Sequence, residues 1–584
     1  VNKAPLVLLE SYAARGETSS YAFAGCVEVI EAHAHAEVLP SLRRVETAVA
    51  SGLHAAGFLA YEAAPGLDPD LAVRTAGEFP FLWFGLFRKR VPVFPGALCA
   101  DAPPCATSGW APSLAPRRYA ALINRIRELI SAGDTYQVNF TLRERFHLSG
   151  SPLALYRDLC RSQPAPYCAF IDTGRFSVAS ASPELFFRLD GDILTTRPMK
   201  GTARRGRWPE EDEAAKEELR RSDKERAENL MIVDLLRNDL GKVAQTGSVE
   251  VNALFEVEPF PTVHQMTSTI TARLREGVGF PELFRALFPC GSVTGAPKRR
   301  TMEIIASLED SPRGIYTGCI GYISPGREAV FSVAIRTAVI DTATGTGELG
   351  IGSGITWDSR PAAEYDECLA KARFAREPFP EFQLIESLLF TPGEGYFLLD
   401  RHLGRMAASA SRFGFAFGPD AARDRLLALG ADLDVRQKVR LLLSRDGTLH
   451  AEAAPIDVQE GDTPLAVAFA GGEVDSRDPL LYHKTTWRTL YSEELRRHPD
   501  CADVIFCNER GEVTEGTYHN VVARIGDVLV TPPVTCGLLP GVFREELLAG
   551  GAIREQVLTR EDFAAADEIY LINSVRRWRR ARLV

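Results

Sequence analysis

No uninterrupted apolar stretch of this 584-residue chain reaches the roughly 18 residues that a membrane-spanning helix needs, so no membrane partner is expected. Cys-x-x-Cys pairs are also missing. The eleven cysteines are scattered and odd in number, which speaks against a disulfide framework and for reduced thiols. Positive charge is in deficit, with 67 Lys and Arg against 77 Asp and Glu. A net charge of −10 gives no electrostatic reason to bind nucleic acid or an anionic membrane. Any anionic substrate must therefore be met by local positive groups. The start, Val1-Asn2-Lys3-Ala4-Pro5, lacks the basic and apolar regions of a signal peptide, and a cytoplasmic, soluble protein is expected. Repeats of solenoid or propeller period are absent.

What is present is ordinary globular composition, 45% hydrophobic and 25% charged, in a chain long enough for several cores. Residues 1–90 mix short apolar runs with turn residues and read as strands with a few helices. From Pro92 to Pro116 six prolines predict a surface loop, so residues 1–115 form the first part of the fold. Helical periodicity follows from Arg118 to Ile130, closed by Ala132-Gly133. Strands are expected at 136–142, 168–171, 176–181, 185–189 and 193–196, and helices at 223–239 and 361–376. Residues 116–376 form the core of this region. Glu377-Pro378-Phe379-Pro380-Glu381 then punctuates the chain, making 377–382 a linker and 383–584 a separate α/β segment.

Lys200, in Arg197-Pro198-Met199-Lys200-Gly201-Thr202, stands out in the first region. A lysine amine is a nucleophile only when desolvation or a neighbouring cation lowers its pKa, and the plain reading of any lysine is a solvated charge. Its surroundings carry two acidic helix faces. Glu225 and Glu228 are three apart after Ser222, and Glu364 and Glu367 repeat that spacing before Lys371. Brought together, four carboxylates would suit Mg²⁺. Taken singly, Ser222 and Glu225 also satisfy a capping box, and Glu-to-Lys spacings are commonly solvated ion pairs.

These segments together resemble the chorismate-utilising enzymes, and among them the large subunits of aminodeoxychorismate synthases. The runs that carry the resemblance span residues 1–376: Gly133–Asn139, Ser180–Glu184, Pro198–Thr202, Asp223–Gly241, Gly291–Lys298, Arg313–Gly318, Ala334–Arg336, Gly352–Ile355 and Glu364–Lys371. The fold implied is α+β, with β-sandwich-like sheets and outer helices. Within the family, Lys200 occupies the place of a nucleophile for amination at ring position 4. Gln137 replaces the lysine that activates water in isochorismate and salicylate synthases. The resemblance further implies Glu184 as general acid, and Mg²⁺ at Glu228 and Glu367 with Glu225 and Glu364 behind them. Thr202, His264, Thr294, Tyr316, Arg336, Gly352, Gly354 and Lys371 would bind chorismate, although a lone histidine such as His264 is commonly structural. The Leu8-Leu9-Glu10-Ser11 start is similar to the family's tryptophan-pocket segment. No Gly-x-Cys-x-Gly glutaminase motif occurs, so a separate glutamine amidotransferase subunit is expected to supply ammonia.

The second region offers Lys484 in His483-Lys484-Thr485-Thr486, then Glu515 in Glu512–Asn520, then Gly537–Arg544 opening a helix. A turn feeding a helix N-terminus can hold phosphate, although such turns are common. With Leu399–Met406 and Ile572–Arg576 the set resembles the fold-type IV pyridoxal 5'-phosphate enzymes, most closely the aminodeoxychorismate lyases. A D-amino-acid aminotransferase-like fold is implied. By that resemblance Lys484 carries the cofactor, Glu515 pairs with its pyridine nitrogen, and Arg405, Val542 and Phe543 hold its phosphate. The first twenty or so residues of that family have no counterpart here, and Arg576-Arg577-Trp578-Arg579-Arg580 is more basic than the usual ending. The two regions together imply synthesis of 4-aminobenzoate from chorismate. An aminotransferase, or a silent module forming a homodimer, are the alternatives for the second region.

Overall fold

The computed structural model describes residues 5–12, 19–74, 77–456 and 463–584. Residues 1–4, on which the reading of the start rests, lie outside them. The chain divides into two compact units, 1–205 with 215–379, and 206–214 with 380–584. Among the described residues no helix is long and apolar enough to cross a membrane.

Among the described residues of the first unit, eighteen strands join one hydrogen-bonded network whose pairings are antiparallel. No break falls at residue 115: Val7–Glu10 pairs with Tyr167–Asp172, and His54–Leu59 with Cys319–Ser324. The alternation of side chains produces several cores among the described residues, three of them large. One is made almost wholly of strand residues, among them Phe23, Phe58, Trp83, Ile171 and Ile320. The other two each place helices over strands, with Leu42, Leu236 and Leu283 in one and Ile123, Tyr156 and Ala372 in the other. This is the sandwich with outer helices that the motifs imply.

Local chemistry sets the helix ends. Pro116 and Pro361 open the helices Pro116–Ser131 and Pro361–Arg376, where a missing N–H costs nothing. Ser222 Oγ accepts from the Glu225 amide at 3.4 Å and starts the helix Asp223–Gly241. Gly133, at φ +81°, ends the first of these helices. The Pro92–Pro116 stretch departs from the expected loop. Cys105–Pro112 is a strand, paired with Gln137–Gly150. The prolines of the stretch lie before it, at its last residue or after it, so none interrupts the ladder, and Trp110 stacks on Phe146 at 4.2 Å.

The second unit has a four-stranded sheet around Leu384–Thr391 and an eight-stranded sheet. In the larger sheet Leu465–Val474 runs parallel to both Asp503–Asn508 and Arg577–Leu583.

Candidate active sites

Lys200 lies on the strand Met199–Arg204, which pairs with Val263–Arg273 through an irregular register between Met199 and Thr202. The irregularity is Gly201, at φ +94°, where a Cβ would sit 3.2 Å from Glu225 Cβ and 3.3 Å from Glu225 Oε2. A glycine therefore lets the acidic helix approach the lysine strand. Asn229 fixes that approach. Its Nδ2 donates to the Lys200 carbonyl at 3.2 Å, while its Oδ1 accepts from Ser268 Oγ at 2.6 Å.

The environment makes Lys200 a poor cation. Burial lowers its pKa below the usual lysine range, opposed by Glu228 and Glu184 and reinforced by Lys371. Glu184, buried just after the strand Phe176–Ser182, is pushed up to about 7 by burial, against the pull of Ser292 and Lys200. Its Oε1 has no hydrogen-bond partner among the described residues. Gln137 is buried nearby with neither amide atom paired among those residues. A Cβ at Gly354 would lie 2.2 Å from Gln137 Nε2 and 3.1 Å from Lys200 Nζ, so amide and amine converge where Gly354 has no side chain.

Carboxylates of the two helices influence one another. Glu225 is raised by burial and then by Glu228, with Glu367 adding to it. Lys371 Nζ bridges Glu367 Oε1 at 2.7 Å and the Gly352 carbonyl at 2.9 Å. Glu364 also acts on the Tyr119 hydroxyl. Among the described residues no group of three or more His, Cys, Asp and Glu is gathered so that these side chains alone could hold a metal ion. The crowding of Glu225, Glu228 and Glu367 nevertheless fits a divalent cation, because like charges held together are what such an ion relieves.

Arg336 has a non-glycine φ of +52°, and burial alone pushes it down to about 10. Its Nη1 is buried without a partner among the described residues, which leaves a guanidinium prepared for an anion. Other expected residues are placed differently. Thr202 is exposed and donates to Gln265 Oε1 at 3.0 Å. The Thr294 hydroxyl donates within its own turn to the Cys290 carbonyl at 3.1 Å. Tyr316 packs over Gly350, where a Cβ would meet its Cγ at 2.0 Å, with the Arg143 guanidinium 5.4 Å from the ring centre. His264 is buried on the strand opposite Ala203. Sequence reasoning gave Asn229 no role, although it lies four residues beyond Glu225 and so shares its helix face.

In the second unit Lys484 is pushed down to about 7 by burial, with Arg405 and Arg488 adding to the effect. Glu515 is pushed up to about 7 by burial. Tyr491 Oη donates to Glu515 Oε1 at 3.0 Å, and Asn520 Nδ2 to Oε2 at 3.3 Å. Arg405 forms a fork on Glu386, Nε to Oε1 at 2.9 Å and Nη2 to Oε2 at 2.7 Å, and donates from Nη1 to the Pro540 carbonyl at 3.0 Å. His402 Nδ1 lies 2.7 Å from Glu386 Oε2, and these two partners hold that carboxyl down at about 2. The turn ending at Pro540-Gly541 leads into the helix Val542–Ala549, whose N-terminus has no side-chain cap. Arg405 thus touches the turn that leads into this helix, and a lysine, a carboxylic acid, an arginine and a helix N-terminus belong to one unit. That donor set fits pyridoxal phosphate. Sequence reasoning passed over Glu386, Arg488 and Tyr491. A lone acid within Leu384–Thr391, a largely apolar strand, was the available signal for Glu386.

Comparison with known proteins agrees with both regions. The profile of the chorismate binding enzyme family matches residues 5–377, and that of amino-transferase class IV matches residues 383–584. An aminodeoxychorismate synthase of Streptomyces griseus is 45% identical over 275 residues, 47% of this chain and 38% of that protein. Aminodeoxychorismate synthase component 1 of Bacillus subtilis is 38% identical over 307 residues, 53% of this chain and 63% of that one. The chain therefore spans less than two thirds of the length of these relatives. The crystal structure of anthranilate synthase component I from Streptococcus pneumoniae aligns with a TM-score of 0.53 and 26% identity, covering 64% of this chain and 93% of that chain. With a matched profile over most of its length, a shared fold and the convergent Lys200 pocket, this chain belongs to the chorismate binding enzyme family.

Proposed function

We propose that this chain makes 4-aminobenzoate in two steps, amination of chorismate at ring C4 and then loss of the enolpyruvyl group as pyruvate. The observation that carries the first step is Lys200, a desolvated amine beside a carboxyl at about 7. Lys200 Nζ attacks C2 of chorismate, the two conjugated ring double bonds each shift by one position, and the C4–O bond breaks. Glu184 supplies the proton that lets the oxygen leave as water. Ammonia then adds at C4, both double bonds shift back, and the C2–N bond to Lys200 breaks. Gln137 has no basic lone pair, so water is not activated in competition.

Arg336 and Lys371 supply the positive charge that the net charge of the chain lacks, and hold the substrate carboxylates. Glu228 and Glu367, with Glu225 and Glu364 behind them, would hold Mg²⁺, whose charge neutralises the ring carboxylate. A glutamine amidotransferase subunit delivers the ammonia.

In the second unit Lys484, Glu515, Arg405 and the amides of Val542 and Phe543 would hold pyridoxal phosphate, which supplies an electron sink when bound. Glu515 keeps a proton on the pyridine nitrogen. Lys484, at about 7, is divided between amine and ammonium at neutral pH, and removes the proton from C4 of the aminated ring. Elimination then leaves an aromatic ring.

The test is product identification with the whole chain. Chorismate, ammonia, Mg²⁺ and pyridoxal phosphate should give 4-aminobenzoate and pyruvate without an added lyase. Accumulation of aminodeoxychorismate would remove the second activity, and no consumption of chorismate would remove the first.

A further inference from the structure

The second unit contains one segment from outside residues 380–584. Residues 206–214 belong to it, although in sequence they follow the Lys200 strand and precede the Glu225 helix. The segment closes on itself: the Gly206 amide donates to Asp212 Oδ1 at 2.7 Å, and Arg207 is clamped by Glu211, with Nη2 to Oε1 at 2.6 Å. A Cβ at Gly206 would lie 2.0 Å from the Asp212 nitrogen, so the turn requires glycine.

This turn presents two side chains to Tyr482. Arg207 Nη1 donates to the Ser476 carbonyl at 3.0 Å and to Tyr482 Oη at 3.3 Å. The Trp208 ring lies 5.3 Å from the Tyr482 ring, tilted by 31°. Tyr482 Oη itself donates to the Ser476 carbonyl at 2.7 Å, and Ser476 is in turn fixed by Glu509. On the far side, the Ile385 amide donates to the Lys484 carbonyl at 3.0 Å, and Leu384 bridges Thr485. The arc that carries Lys484 is thus held on both sides, with His483 also bound to Ser409 at 2.9 Å, and residues 206–214 make one of its holds. Trp208 also packs on the cluster containing Tyr491, the partner of Glu515.

We propose that Arg207 and Trp208 are positioning residues of the second site, acting through Tyr482 on the arc that carries Lys484. A unit cut at residue 380 therefore lacks part of its own site. The proposal rests on the reading of Lys484 as the pyridoxal phosphate lysine.

The experiment uses the full chain stripped of cofactor, with pyridoxal phosphate added back and uptake followed by its visible absorption. Arg207→Ala and Trp208→Ala should each weaken uptake about tenfold, equal to about 1.4 kcal/mol and within reach of one lost aromatic pair. The pH midpoint of uptake should also rise. Lys484 faces Arg405, His402, Arg488, Glu386 and Glu515, and a loosened arc adds water, which returns the amine toward its ordinary range. Trp208→Phe should restore both readouts, which general destabilisation would not produce. Wild-type affinity and wild-type pH midpoint in both alanine variants would overturn the proposal alone. Failure of the wild-type chain to take up pyridoxal phosphate would overturn it together with the reading on which it rests.

Discussion

Glu184→Gln should make the chain more stable and a worse catalyst. The carboxyl titrates at about 7 in the folded chain against an ordinary 4.5, because burial penalises its charge. Below pH 4.5 both folded and unfolded forms are protonated, and the shift costs nothing. As pH rises from 4.5 to 7 the unfolded chain gains by ionising while the folded chain does not, and above 7 the full cost is present. At about 1.36 kcal/mol per pH unit the difference amounts to ~3 kcal/mol. A neutral glutamine of similar shape removes that cost and can keep the contact with Ser292. Urea unfolding of variant and wild type should therefore coincide near pH 4.5 and differ by ~3 kcal/mol in favour of the variant near pH 8. Loss of the proton donor should lower the rate of chorismate amination by about 10²–10⁴-fold. Equal stability at pH 8, or amination within a few-fold of wild type, would refute the assignment of a buried, neutral Glu184 as the acid.

Lys200→Ala should abolish amination at C4, read by chromatography of the products; full retained activity would eliminate the covalent route. Gly201→Ala should be strained by ~1–2 kcal/mol at its positive φ and push against Glu225, so the Mg²⁺ concentration for half-maximal activity should rise. An unchanged Mg²⁺ requirement would separate Glu225 from the metal. Glu386→Ala leaves Arg405 buried without its carboxylate and should destabilise the second unit by about 3–5 kcal/mol at neutral pH. Because the folded Glu386 carboxyl titrates at about 2, the stability it contributes is complete above its ordinary range and disappears as pH falls toward 2. The difference between wild type and variant should therefore shrink in acid, and a constant gap would count against the ion pair.

Elements with strong local signals were legible in the sequence. The helix Pro361–Arg376 coincides with the expected range, since a proline at its first position and prolines beyond its end define it without tertiary help. Cys105–Pro112 was not legible. Its proline-rich surroundings hide a strand whose formation depends on a partner about forty residues away, and whose one large anchor, Trp110, gains from stacking only once Phe146 is in place. Site residues divide in the same way. Glu225 and Glu228 could be assigned to one helix face from spacing alone, but not the approach of Glu367 to them. That depends on how a second helix is oriented in space.

The sequence by itself determined which reactive groups exist and which local element carries several of them: Lys200 before a glycine, paired acids on helices, Lys484 after a histidine, and a turn opening a helix over Gly537–Arg544. Periodicity and turn chemistry act over a few residues, so they survive in a one-dimensional reading. Tertiary structure alone decided their protonation and their company. Desolvation depends on atoms distant in the chain, and it turns Lys200 and Lys484 toward amines, Glu184 and Glu515 toward neutral acids, and Arg336 into a cation without a counter-charge among the described residues. It also placed residues 206–214 in the second unit, an allocation that no linear boundary signal could reveal.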